Sequence, residues 1–455
     1  MNLKSIISIL LGALIGVSTS SSAHDGIFQK VSPVRNLISN QERSGGPTPE
    51  TKSPARRGII SNGIKEAREY LEELDLGYRI GTVIRKVSKK KSITQKVVTR
   101  DVGVAGLHQE SGELRTFVFK ESFLLDERLR KKEGPPMVIV KDDECRLLWR
   151  GGSRFGFRRD LALRCSNKDF TIVGLRMPFR LSSRNITFKQ NKNYECLKQE
   201  TILTGFYIPY SPELNSPELA VKGRAYLEDT ILRALEELDD AGLLSRAFGD
   251  WKLSELVSLE FLHALVVDEH MDHNEFLEAL RTGTLHSLLE KFWVEIALNA
   301  REAKRWSVSS AGACCLTQFI CPTYARIILE YPEAKLKTSF LEGMQDHVNA
   351  LKSSVVLFDF DMSRGWNDKT KAICSSSTEA LEECWAASYN GGPGRLNKVV
   401  AARGSDWQKT QPILKKKRRY FAPRIREETR VYLAKFKAVR DYFLSENPVR
   451  TDTPR

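Results

Sequence analysis

The stretch Val308-Ser309-Ser310-Ala311-Gly312-Ala313-Cys314-Cys315-Leu316-Thr317-Gln318-Phe319-Ile320-Cys321-Pro322 decides how the rest of the chain is read. Small residues crowd into Ser309 to Ala313. A bend there lets backbone come close to a long polar ligand. Leu316, Phe319 and Ile320 then begin an apolar pattern with Gln318 set between them. Upstream of this stretch the hydrophobic period is first that of strands and then that of helices, and downstream it is helical almost to the end. The expected fold class is therefore α+β: a mainly antiparallel β region followed by a mainly helical one.

The β region spans 61–210. Its strand signals are Thr82-Val83-Ile84, Lys96-Val97-Val98, Thr116-Phe117-Val118-Phe119, Met137-Val138-Ile139-Val140, Leu161-Ala162-Leu163, Phe170-Thr171-Ile172-Val173 and the run 202–207. Turn formers separate them at Ser111-Gly112, Gly134-Pro135-Pro136 and Gly151-Gly152. A short amphipathic helix at 64–74 precedes the strands. No catalytic constellation stands out in this region, which reads as a structural or protein-binding module. Ser211-Pro212-Glu213-Leu214-Asn215-Ser216-Pro217 marks the boundary. Beyond it helices are expected at 220–238, 253–270, 285–304, 323–331, 340–359, 377–389 and 427–444, within a helical domain at 217–446. Residues 447–455 form a tail.

Composition sets the class and the address. With 455 residues and 41% hydrophobic content the chain is globular and long enough for more than one core. Lys4, the apolar run 6–17 and Ser21-Ser22-Ala23 resemble a secretory signal over 1–23, too short to span a bilayer comfortably. The stretch 24–60 has linker composition, as in Gly45-Gly46-Pro47-Thr48-Pro49. The net charge is +14. Export argues against a nucleic-acid partner and directs that charge toward anionic envelope polymers. The runs 89–91 and 415–419 read as solvated faces. Eight cysteines, an even number, suit an oxidising compartment. Cys374 and Cys384 could staple a loop. No further segment reads as membrane-spanning, and no cysteine or histidine spacing matches a metal motif.

Two further blocks follow the opening stretch: Ala386-Ala387-Ser388-Tyr389-Asn390-Gly391-Gly392-Pro393-Gly394-Arg395, and Glu428-Thr429-Arg430-Val431-Tyr432. The three blocks, in this order, resemble the transglycosylase domain of soluble lytic murein transglycosylases, over roughly the C-terminal half of the chain. The resemblance implies a lysozyme-like helical fold that cleaves peptidoglycan glycan strands with one Glu and no cofactor. It implies that Gln318 lines the glycan groove, that Tyr389 stands beside the acid, that Asn390 contacts sugar, and that Ser310 sits at the bend near the acid. Where the family usually has Gly-Leu-Met-Gln, this chain has Cys315-Leu316-Thr317-Gln318. Glu428 is expected to cap or brace the last helix.

The family's Glu precedes the position matching Val308 by eight residues, and Ala300 stands there. Helical geometry ranks two substitutes. Glu302 shares a face with Lys291, Glu295 and Asn299, opposite the stripe Leu289, Phe292, Trp293, Ile296 and Ala300, so a continuous helix would turn it to water. Glu269 follows Leu262, Leu265 and Val266 at helical spacing, which places it among apolar side chains that favour its protonated form. Glu269-His270-Met271-Asp272 also looks like a variant of the family's Glu-Ser-x-x-Asp, with an extra helix inserted over 274–307. Glu269 is the expected catalytic residue. Asp268 and Asp272 read as helix-end or surface residues, and His263, His270 and His273 do not repeat a ligand motif. The rival reading, from the loss of Glu at the usual spacing, is a non-catalytic glycan-binding scaffold with an envelope protein recruited by the β region.

Overall fold

The computed structural model describes residues 54–88, 91–124, 145–152, 157, 159–165, 168–181, 185–187, 193–196, 201–309, 311–411, 413–415, 418–420 and 423–446. The expected signal, most of the linker, the strand signal at 137–140, Lys89, Lys90, Ser310 and the tail lie outside them.

The α+β class holds: a curled antiparallel sheet is followed by a mostly helical region. Helix α1 (Pro54–Glu72) begins earlier than the expected 64–74 and takes up the last residues assigned to the linker. The sheet then comprises β1 (Tyr78–Ser88), β2 (Lys91–Leu107), β3 (Leu114–Leu124), β4 (Cys145–Gly152), β5 (Arg159–Cys165), β6 (Lys168–Leu181) and, later in the chain, Thr201–Tyr207. That last strand is numbered β9, after the short pair β7 (Asn185–Thr187) and β8 (Asn193–Glu195). Strand order is β1-β2-β6-β5-β4, with β3 against β2 and β9 against β6. The long β2 passes from β1 to β3 and β6 along its length, with a bulge at Ala105/Gly106 against β6. Such an offset bends the sheet around its own inner face. That face buries Val104, Phe119, Leu147, Leu163, Ile172 and Leu175. The other face is covered by α1, whose Ala67 and Leu71 meet Ala105, Val173 and Phe206. Gly151-Gly152, read as a turn, belongs to β4 instead and pairs with Asp160 and Arg159.

The helical region comprises α2 (Pro217–Asp240), α3 (Leu259–His270), α4 (His273–Thr282), α5 (Leu285–Asn299), α6 (Cys321–Glu330), α7 (Phe340–Gln345), α8 (His347–Phe360), α9 (Asp368–Cys374), α10 (Thr378–Gly391), α11 (Pro393–Arg403) and α12 (Glu427–Glu446). The local reasons are ordinary. Ser216, Ser258 and Asp272 cap α2, α3 and α4 with side-chain oxygens that accept backbone N–H groups. The single helix expected over 340–359 is two, divided where Asp346 caps α8. The expected insertion over 274–307 carries two helices, α4 and α5, rather than one. Ten of the twelve residues of α3 are buried, leaving Leu259 and Glu269 as the exceptions, so α3 is the core helix of this half.

Helices α2 and α5 cross at very short range. A Cβ added at Gly223 would lie 1.8 Å from the Trp293 carbonyl oxygen. Gly223→Ala must therefore push the two helices apart. It is expected to destabilise the protein by about 3 kcal/mol, near the upper end for overpacking, as a lower midpoint in chemical denaturation. An unchanged midpoint would contradict the crossing described.

The two halves are joined polar group to polar group. Asn299 accepts from Ile208 N (2.8 Å) and donates to Ile208 O (2.9 Å). Tyr207 donates to Glu295, and buried Lys304 is ion-paired with the same carboxylate. Trp306 lies over Gly205 and donates to Phe206 O (3.2 Å). Disulfides join Cys145–Cys165, Cys196–Cys321, Cys314–Cys315 and Cys374–Cys384. Cys196–Cys321 ties the end of the β region to the start of α6, and Cys374–Cys384 staples α9 to α10 as the sequence suggested. No helix among the described residues is long and apolar enough to cross a membrane.

Candidate functional site

The three sequence blocks meet at the C-terminal end of α3. The first block is a tight loop. Ser309 N donates to Ala313 O (2.8 Å), Gly312 N donates to Ser309 O (3.0 Å), and bridges pair Val308 with Cys314 and Cys314 with Phe319. The bend expected from the small residues is present, with Gly312 at φ 82°. The chain does not become helical until Cys321. Cys315 (φ 71°) and Gln318 (φ 52°) take left-handed backbone, which breaks any helix started at Leu316. Both N–H groups of the Gln318 amide are spent inside the loop, on Ser307 O (3.0 Å) and Cys315 O (2.8 Å). Its oxygen is the atom it can still offer a ligand.

Two carbonyls of this loop are held from below. His270, the last residue of α3, donates through Nε2 to Leu316 O (2.8 Å). Tyr389, near the end of α10, donates its hydroxyl to Thr317 O and lies 3.4 Å from Ser354 Oγ. Its ring packs edge-on against Phe319 and obliquely against Phe358. Asn390, the next residue, accepts from Thr429 Oγ1 (2.8 Å) and so connects α10 to α12.

Glu269 stands where these elements converge. Val266, Leu265 and Leu262 are fully buried, as their spacing implied, while Glu269 itself keeps partial access to solvent. The Tyr432 hydroxyl, from the third block, donates to Glu269 Oε1 at 2.8 Å. Burial pushes the Glu269 carboxyl up to about 7. The Tyr432 hydrogen bond and the Lys435 ammonium pull the other way, and the Glu428 carboxylate reinforces the rise. Burial also pushes up the hydroxyls of Tyr389 and Tyr432, and the negative charge of Glu269 acts on both in the same sense. The carboxyl and the two phenols thus form one electrostatic neighbourhood, in which the phenols stay protonated and the partly accessible Glu269 carboxyl titrates near neutrality. Such a carboxyl can both give and take a proton.

Asp268 is a helix-end residue, in the last turn of α3, but not a surface one: it is 1% exposed and paired through Oδ1 with Lys435 Nζ at 2.7 Å. The same ammonium donates to Asp268 O (2.8 Å) and Met271 O (3.0 Å), covering carbonyls that the end of α3 leaves without helical partners. Asp272 is a helix-end residue as read, capping α4. His263 is buried edge-on against Phe443. Among the described residues no three metal-ligating side chains gather into a potential metal site.

Glu302 and its surroundings also depart from expectation. Helix α5 ends at Asn299, and Ala300 takes φ 44°, so the continuous helix that would have turned Glu302 to water is broken there. Glu302 lies in the following 3-10 turn, paired with Arg305 at 2.7 Å, and its side chain is 17% exposed. Glu295 and Asn299, placed by the sequence on a solvent face, are buried against β9 and the segment after it, whereas Ala300, placed on the apolar stripe, is exposed. The polar side of α5, expected to face water, meets the sheet side of the molecule at Glu295 and Asn299. Ser310 is outside the described residues. Exposed Glu428 lies in the first turn of α12, where an acidic side chain favours the helix dipole. The residue that sequence reasoning missed is Tyr432. It ends the third block, and no local pattern in the sequence signals its contact with a residue 163 positions away.

No protein-family model, curated protein or solved structure matches the chain.

Proposed function

We propose that the protein is an exported peptidoglycan lytic transglycosylase with Glu269 as both its general acid and its general base. The observation that carries the proposal is Glu269 itself: a partly accessible carboxyl at the end of a buried helix, hydrogen-bonded by Tyr432 at 2.8 Å, held up to about 7, and ringed by the three motif blocks. Protonated Glu269 gives its proton to the oxygen that links N-acetylmuramic acid to N-acetylglucosamine. The bond to C1 breaks and an oxocarbenium-like centre forms. The resulting carboxylate then takes the proton of the muramic C6 hydroxyl as O6 closes onto C1. The product is a 1,6-anhydro sugar, no water is consumed, and Glu269 ends protonated as it began. No metal or organic cofactor enters this scheme.

In this reading the Gln318 oxygen accepts from a substrate N–H or hydroxyl. Tyr389 shapes the wall beside the acid, and Asn390 holds the α10–α12 corner. The glycan strand is the substrate and the basic surface favours its anionic surroundings. Residues 1–23 would direct the chain to the periplasm or cell envelope, and the β region would engage an envelope protein.

The pH dependence of glycan cleavage tests the role of Glu269. The acid must be protonated at the start, so the rate falls as pH rises through Glu269's titration. The expected half-fall is near pH 7. A rate that climbs steadily from pH 6 to pH 9 would contradict the assignment.

One observation favours a second reading, a glycan-binding scaffold without catalysis. Ala300 stands at the family's usual position for the acid, and both N–H groups of Gln318 and the Tyr389 hydroxyl are engaged within the fold. Binding of glycan strands without cleavage at any pH would establish it.

A further inference from the structure

The end of α3 presents two adjacent carboxyl groups, Asp268 and Glu269, with different fates. Asp268 is sealed and paired with Lys435, whereas Glu269 meets Tyr432 and reaches solvent. Lys435 is itself only 8% exposed, an unusual place for an ammonium. Its hydrogen-bond and ion-pair partners among the described residues are Asp268 Oδ1, Asp268 O and Met271 O, at 2.7, 2.8 and 3.0 Å. Two of these are main-chain oxygens on either side of Glu269 in sequence. Lys435 therefore grips the backbone that carries Glu269. It also neutralises the negative end of the helix dipole at the point where a second negative charge has to form.

We propose that Lys435 is a positioning residue for Glu269, fixing the last turn of α3 and supplying the positive charge that allows the Glu269 carboxylate to form. The inference rests on Glu269 being the acid–base group. Lys435 lies one turn beyond Tyr432 on α12, so one face of one helix holds the carboxyl by its side chain and by its backbone. The charged and titratable groups around Glu269 come from three elements: Asp268 on α3; Tyr432, Lys435 and Glu428 on α12; and Tyr389 on α10. Lys435 is the cation among those named. An acid that must also act as a base needs it, because burial alone would leave the proton held too tightly for the second half of the cycle.

The test uses the full chain and two readouts. The first is the infrared carbonyl band of protonated Glu269, assigned by its loss in Glu269→Gln and followed with pH. The second is the pH profile of glycan cleavage. Lys435→Met is expected to move both upward by about one pH unit, the size of effect a neighbouring opposite charge has. Lys435→Arg is expected to stay near wild type in both. Should Lys435→Met fail to fold, Lys435→Gln removes the charge but keeps a donor for the Asp268 and Met271 carbonyls, and is expected to show the same upward movement. A folded variant lacking the ammonium whose Glu269 band titrates as in wild type would overturn the proposal. The infrared readout does not require activity. A wild type that shows the band but cleaves nothing would count against the transglycosylase reading, while the movement of the band still decides the role of Lys435.

Discussion

Glu269→Gln is expected to slow glycan cleavage by about a thousandfold, within the range that a positioned general acid contributes. The substitution keeps the shape of the side chain and an oxygen able to accept from Tyr432, so the fold and the binding of glycan strands should persist. What it removes is a proton that can leave and return. Glu302→Gln is the matched comparison. Glu302 is tied to Arg305 in a 3-10 turn and is hydrogen-bonded to none of Glu269, Tyr389 and Tyr432, and its loss should change the rate by no more than about twofold. Initial rates on purified peptidoglycan, with strand binding measured alongside, check both. Equal losses in the two variants would show that neither carboxyl has the role assigned to it.

The second large effect is expected where the sheet meets the helices. Lys304 is 1% exposed and paired with Glu295, which also accepts from Tyr207 of β9. Lys304→Met removes the ammonium from a buried carboxylate. Breaking such a pair costs about 3–5 kcal/mol, because the remaining charge is left in a poorly polarisable interior. The double variant Glu295→Gln/Lys304→Met should recover most of that loss, since it removes both charges and keeps a group that Tyr207 can bond. Denaturant midpoints for the single and double variants give the comparison. A single variant as stable as wild type would mean that this pair does not join the two halves. The connection matters to the site because Trp306, two residues further on, packs on Gly205 and leads directly into the loop that carries Gln318.

The division into a β half and a helical half was legible because the hydrophobic period changes near Ser211-Pro212 and each period is a local property of the chain. The candidate acid was legible for a related reason. Leu262, Leu265 and Val266 precede Glu269 at helical spacing, and an apolar helix with a carboxyl at its end is visible without any tertiary information. What failed was the assumption that a polar face meets water. Glu295 and Asn299 look like a solvent stripe on α5 and are instead the seam with the sheet. That the helix-end residue Asp268 is buried rather than at the surface was not legible, because its cation, Lys435, lies far along the sequence. Helix ends were lost where backbone left the usual region. Ala300 at φ 44° stops α5 early, and nothing in an alanine announces that. Glycine misled in the other direction: Gly151-Gly152 was read as a turn and forms the end of β4, while α11, opening at Gly392-Pro393, was not read as a helix at all. The role of Tyr432 was hidden because spacing within one block gives no distance to a residue of another.

The most direct test of the central claim is the mass of the products released from purified peptidoglycan by the full chain at pH 6. The account predicts muropeptides ending in 1,6-anhydro-N-acetylmuramic acid, lighter than the hydrolysis products by the elements of water, and their absence with Glu269→Gln. Reducing-end products would instead mean that water is the nucleophile, and intact strands that bind without being cut would mean that the fold holds glycan but does not cleave it.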